Sequence, residues 1–212
     1  RISKNVFMAV KAAGPNPDNN PRLRAAMQNA KAINMPKERL EAAIKKASSK
    51  DEKDLEIITY EGYAAHGIAV LVETVTDNPT RTVANVRSYF NKYGGSLGTS
   101  GSVSFMFDHK CNFRVKGKTD VDVDMLELEL IDVGCEELSV ENDELIIYGA
   151  FDAFGKLHHY FEENQYEIVE SGFDRIPTMT KKLTPEQEID VKKLLDKMED
   201  DDDVQDVYST ME

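Results

Sequence analysis

The sequence predicts an α+β protein, with an N-terminal helical bundle followed by two ferredoxin-like α/β units, one inserted in the other. Three observations predict it. Helical spacing of apolar residues gives way to strand alternation after about residue 55, strands and helices then alternate, and a βαββαβ pattern over 112–173 interrupts a second pattern of the same kind. The implied domains are 1–50, 55–110 joined with 175–212, and 111–174. With 212 residues, 41% of them hydrophobic, the chain is long enough for more than one core.

Residues 2–13 place Ile2, Val6, Val10 and Ala13 at helical spacing, and Gly14 is positioned to end that helix. PNPDNNP (15–21) is a turn, in which Asn20 and Pro21 form the cap and first residue of a second helix carrying Leu23, Met27, Ala30 and Ile33 on one face. A third helix, from Pro36 to about Ala47, buries Leu40, Ala43, Ile44 and Ala47. SSKDEKD (48–54) is polar, aperiodic and reads as a linker. Strands follow at 56–62 and 67–75, the second rich enough in β-branched residues to be buried on both faces. Thr80 or Thr82 caps a helix to about residue 93, GGSLGTSG (94–101) is a glycine-rich connection whose mobility would suit a partner, and SVSFMF (102–107) alternates as a strand. The inserted pattern comprises strand 113–117, helix 121–133, strands 136–140 and 144–149, helix 151–163 and strand 167–173. Strand 175–182, helix 187–199 and strand 204–209 complete the outer unit.

The net charge of −13 is unevenly distributed. Residues 1–50 hold 11 Lys or Arg against 3 Asp or Glu, whereas residues 119–212 hold 7 against 28. A basic module suited to phosphate is thereby separated from an acidic one suited to a basic protein. Cys111 and Cys135 form no CxxC pair and read as reduced thiols. No apolar run approaches the length needed to span a bilayer, so a cytoplasmic setting is expected. The chain opens at Arg1, already in a helical pattern, and residues upstream of it are expected.

Catalysis has no sequence support: HExxH, GxSxG, a Walker loop and a dinucleotide fingerprint are all lacking, and no cofactor is expected. His109 and Cys111 are too few for a structural zinc site, and Asp200–Asp203 read as a solvated helix end rather than a Mg²⁺ site. The candidate nucleic-acid-binding residues are Arg22, Arg24 and Lys31 on the second helix and Lys37, Arg39, Lys45 and Lys46 on the third, with Arg81, Arg87 and Lys92 a weaker set. The alternative is a face that only solubilises, supported by a Glu41–Lys45 pair at i,i+4. Met35 would be the N-cap of the third helix, a position that favours Ser, Thr, Asp or Asn, and is therefore a candidate partner contact, unless it folds back and Asn34 caps.

The segments GPNPDNNPRLRAAM (14–27), NMPKERLEAAIKKA (34–47), YEGYAAHGIAVLVETVTDNPTRTVANVRSYFNKYGGSLGTSGSVSFMF (60–107) and DDDDVQDVYS (200–209) resemble the YebC/PmpR family. Its members are regarded as probable transcriptional regulators, and a mitochondrial relative activates translation of cytochrome c oxidase. The resemblance implies a helical domain plus two α/β domains, one inserted in the other. It also implies a non-enzymatic regulator bound to promoter DNA or, in a translational version, to ribosomal RNA and tRNA where synthesis stalls. Two features depart from the family: its basic N-terminal run is not in this sequence, and Ala64-Ala65-His66 replaces a turn that more often contains Gly-Pro. The rival reading is an interaction module whose acidic half takes a basic protein partner.

Overall fold

The computed structural model describes residues 1–49 and 55–212; most of the expected linker lies outside the described residues. The order is α1 (Ile2–Ala13), α2 (Pro21–Ala32), α3 (Lys37–Ser48), β1 (Glu56–Tyr63), β2 (Ala69–Thr76), α4 (Pro79–Lys92) and β3 (Ser96–Leu97), then β4 (Phe107–Lys116), α5 (Val123–Asp132), β5 (Cys135–Glu141), β6 (Glu144–Ala150), α6 (Phe154–Glu163), β7 (Ile168–Pro177), α7 (Pro185–Glu199) and β8 (Val204–Ser209). Two compact units result. One joins the helical segment to residues 109–174, and the other joins residues 55–108 to 175–212.

In the first unit, Asn20 connects α1 to α2. Its oxygen accepts from Leu23 N–H at 3.0 Å, while Nδ2 donates to the carbonyls of Ala9 (2.7 Å) and Gly14 (2.8 Å), satisfying a fully buried amide. The end of α2 corrects the expectation for Met35. Asn34 adopts φ 56°, its N–H donates to Lys31 O, and Met35 N–H donates to Ala30 O, both at 2.9 Å. This is a Schellman stop, whose last position favours an apolar residue. Met35 therefore terminates α2, and Pro36 is the N-cap of α3. Ile33, expected on the buried face, is the C-cap of α2 and is 62% exposed. The sheet order in this unit is β5-β6-β4-β7, the ferredoxin-like arrangement expected for the insert. Its core of Phe113, Leu130, Ile147, Phe154, Leu157 and Phe161 also includes Ala25 from α2.

The sheet of the second unit runs β3-β1-β2-β8 with antiparallel neighbours. β2 is covered on both sides: Val70 and Val72 pack with Val86 and Phe90 of α4 and Val191 and Leu194 of α7, and Ala69 and Leu71 pack with Val103 and Phe107. Three assignments move. α4 is capped by Asn78, whose oxygen accepts from Arg81 N–H at 3.0 Å, so the Asn-Pro start of α2 recurs and neither Thr80 nor Thr82 caps. Residues 102–106 are not a strand; a 3-10 turn spans Ser104–Met106, the amides of Val103 and Ser104 are taken by the carboxylate of Glu61, and β4 begins only at Phe107. Residues 175–177 extend β7, and beyond them Lys181 makes an isolated bridge to Met211. The glycine-rich connection contains β3, paired with Gly62 and Tyr63 of β1, and is anchored at Gly101 by Glu61.

Candidate nucleic-acid interface

The basic residues of α2 divide into an inward and an outward group. Arg22 places its guanidinium over the rings of Phe151 (4.7 Å) and Phe173 (4.4 Å), and burial lowers its pKa. Arg24 donates to both carboxylate oxygens of Glu162 (3.1 and 3.3 Å) and to the carbonyls of Pro17 (2.6 Å) and Asp18 (3.1 Å). Gln28 and Asn29 of the same helix donate to the carbonyls of Ile168 (3.1 Å) and Ser171 (2.9 Å). The chemistry read as phosphate-binding at Arg22 and Arg24 instead seats α2 on the inserted sheet, because these side chains meet rings, a carboxylate and carbonyls with matching geometry.

Lys31, Lys37, Arg39, Lys45 and Lys46 are exposed. Lys37 approaches Glu41 at 3.6 Å, an exposed i,i+4 pair of small energetic value. A surface of this kind can neutralise phosphates without geometric selection among sequences. Met35 is half-buried at the junction of α2 and α3.

In the second unit, Arg81 is engaged by acid. It contacts Asp203 at 2.8 Å and Asp77 at 2.9 Å, which hold its pKa above the ordinary value. Asp203 also accepts from Thr82 Oγ1 at 2.9 Å, and Asp201 accepts from Tyr89 Oη at 2.8 Å. Burial, together with Asp201, pushes the Tyr89 hydroxyl up to about 12. Two carboxylates of the run expected to be solvated thus fasten α7 and β8 to α4. Arg87 and Lys92 are exposed.

Sequence reasoning missed two buried groups. Glu61, 4% exposed, accepts from the backbone N–H groups of Gly101 (2.5 Å), Val103 (3.0 Å) and Ser104 (2.6 Å); the signal in the sequence was an acid between Tyr60 and Gly62 within a strand. His158 is 1% exposed between Phe113 and Phe154, with no hydrogen bond to either ring nitrogen and Glu162 at 3.5 Å. Burial holds its pKa below the ordinary histidine value, against the raising effect of Glu162. The unfolded chain therefore binds the proton more readily. The stability the neutral ring permits is present above the ordinary histidine pKa of about 6.5 and is lost as pH falls from there through the lower folded value. His158→Leu is expected to flatten the decline in melting temperature between neutral and mildly acidic buffer. A decline as steep as that of the unsubstituted protein would assign it to other groups.

Burial pushes the thiols of Cys111 and Cys135 up to about 12 and about 11, and both are free. No group of three His, Cys, Asp or Glu is placed to hold a metal among the described residues, and His109 stacks on Phe151 at 3.9 Å. No helix among them is long and apolar enough to cross a membrane.

The geometry defines a mixed α/β protein in which a helical segment with a basic outer face is built onto an inserted ferredoxin-like sheet. The chain belongs to the TACO1/YebC family: residues 1–50 match the family's N-terminal domain and residues 55–211 its second and third domains. A probable transcriptional regulatory protein of Flavobacterium johnsoniae is 57% identical over 100% of this chain and 89% of its own length, and one of Parabacteroides distasonis is 54% identical over 100% and 87%. The crystal structure of the conserved hypothetical protein Aq1575 from Aquifex aeolicus is similar with a TM-score of 0.84 and 36% identity, covering 100% of this chain and 87% of that one.

Proposed function

We propose that the protein is a non-enzymatic regulator of transcription that binds DNA through the outer faces of α2 and α3. The observation that carries this reading is the exposure of Lys31, Lys37, Arg39, Lys45 and Lys46 on one helical segment of a chain whose net charge is −13. The names of the relatives support transcription. Arg22, Arg24 and Arg81 hold the fold together, while Arg87 remains a secondary contact. The same surface would serve a ribosome-bound version, since phosphate contacts carry no base information.

Deleting the helical segment is a poor test, because it strips α2 from the inserted core. Arg39→Gln combined with Lys45→Gln leaves the seating of α2 intact. For each phosphate that the protein no longer neutralises, the slope of log affinity against log salt on duplex DNA is expected to shrink by roughly 0.9. An unchanged slope would overturn the assignment. Crosslinking in cells then identifies the target: promoter fragments support the transcriptional reading, and ribosomal RNA with tRNA supports the translational one.

A second reading has its own observation. Met125, Leu128 and Ile131 of α5 are 56%, 62% and 53% exposed, on a helix with five carboxylates and no cation from Asp122 to Asp132. A basic amphipathic protein segment would fit such a face.

A further inference from the structure

In the second unit, two loops present exposed apolar residues from a firmly held base. Phe105 is 71% exposed and Met179 is 80% exposed. Each adjoins a residue of one hydrogen-bonded contact: Thr178 donates to Met106 O from N–H at 2.9 Å and from Oγ1 at 3.2 Å. On the other side of Phe105, the buried Glu61 carboxylate accepts from Gly101, Val103 and Ser104, fixing the turn from beneath. Val103 and Phe107 enter the core while Phe105 points to solvent. A large ring held in this way loses little freedom when it meets a planar ligand.

The surroundings indicate which ligand. In a chain with 39 carboxylates, residues 95–107 and 175–183 contain none. They supply instead the hydroxyls of Ser96, Thr99, Ser100, Thr178 and Thr180 and the exposed cation Lys182. Arg175 and Lys181 add positive charge while bonded to Glu73 (2.9 Å) and the His66 carbonyl (2.6 Å). An aromatic platform beside hydroxyls and Lys182, with the Glu61 carboxylate buried on backbone N–H groups and Glu73 paired with Arg175, is the chemistry that accepts unpaired bases and tolerates the phosphates between them.

We infer that the Phe105 turn is a stacking site for single-stranded nucleic acid, with Phe105 as platform and Lys182 beside the backbone. This rests on the nucleic-acid reading above and adds a second element, on the other unit, that engages bases and not only phosphate.

The test is affinity of the full chain for fluorescent oligo-dT and oligo-U, with duplex DNA in parallel. Phe105→Ala is expected to weaken single-strand binding by roughly 5- to 100-fold and leave duplex binding unchanged, with Phe105→Trp restoring it. The stronger of the two oligonucleotides identifies DNA or RNA as the source of the strand. Single-strand binding that Phe105→Ala leaves intact would overturn the stacking site alone. Failure of the unsubstituted chain to bind any of the three would overturn the nucleic-acid reading with it.

Discussion

Glu61→Gln is expected to cost about 2–4 kcal/mol of folding stability, read as a lower urea midpoint near neutral pH. Burial alone would push this carboxyl up, but the N–H groups of Gly101, Val103 and Ser104 outweigh it and hold the pKa below the usual glutamate value. A glutamine retains one acceptor oxygen and turns an NH₂ group toward at least one of these donors, so a buried N–H loses its partner. The sign with pH follows from the lowered value. Stability from the carboxylate is complete above the ordinary glutamate pKa of about 4.3 and is lost as pH falls through the folded value. The gap between the two proteins should therefore close in acid. A constant gap would mean that shape, not charge, is what Glu61 contributes.

Gly95→Ala is expected to cost about 2–3 kcal/mol, for a different reason. A Cβ at Gly95 would run into the carbonyl oxygen of Tyr63 and lie 3.0 Å from Ala64 Cα, all backbone, where no side chain can move aside. Relief requires breaking the Tyr63–Ser96 register that holds β3 on β1. Gly62 faces the same strand, where a Cβ would stand 2.6 Å from Ser96 O. Gly101 provides the comparison: at φ +86° with open space around it, alanine should cost only about 1 kcal/mol, from backbone conformation. Equal losses at Gly95 and Gly101 in chemical denaturation would refute the steric account.

Local chemistry was readable from the sequence and distant partnership was not. Asn20-Pro21 and Gly14 announced the ends of α2 and α1, the β-branched run of β2 announced burial on both faces, and the insert's six elements followed in order. Asn78-Pro79 carried the same signal as Asn20-Pro21, yet the threonines nearby were read as caps. Met35 was misplaced because Asn34-Met35-Pro36 contains a stop and a start together, and the stop determines the role of the methionine. The paired arginines of α2 and α4 show the other limit. Nothing near Arg24 in sequence signals Glu162, 138 residues away, and nothing near Arg81 signals Asp203, 122 away. Charge pattern gives the sign of a surface, whereas its availability depends on which carboxylates the fold brings back.

The interleaving of the two units has a consequence in time. The chain enters the first unit, leaves it near residue 50, returns at 109 and leaves again at 174, so neither unit is a continuous stretch of polypeptide. During synthesis the helical segment emerges long before the sheet that covers α2, and at roughly 5–20 residues per second that face waits about 6–25 seconds for its partner. A ribosome that halts near residue 108 releases a chain with both units incomplete, its α2 arginines and Ala25 still without the rings, carboxylate and core they meet in the finished protein. A product ended anywhere between the close of α2 and the start of β7 shares the same uncovered helix.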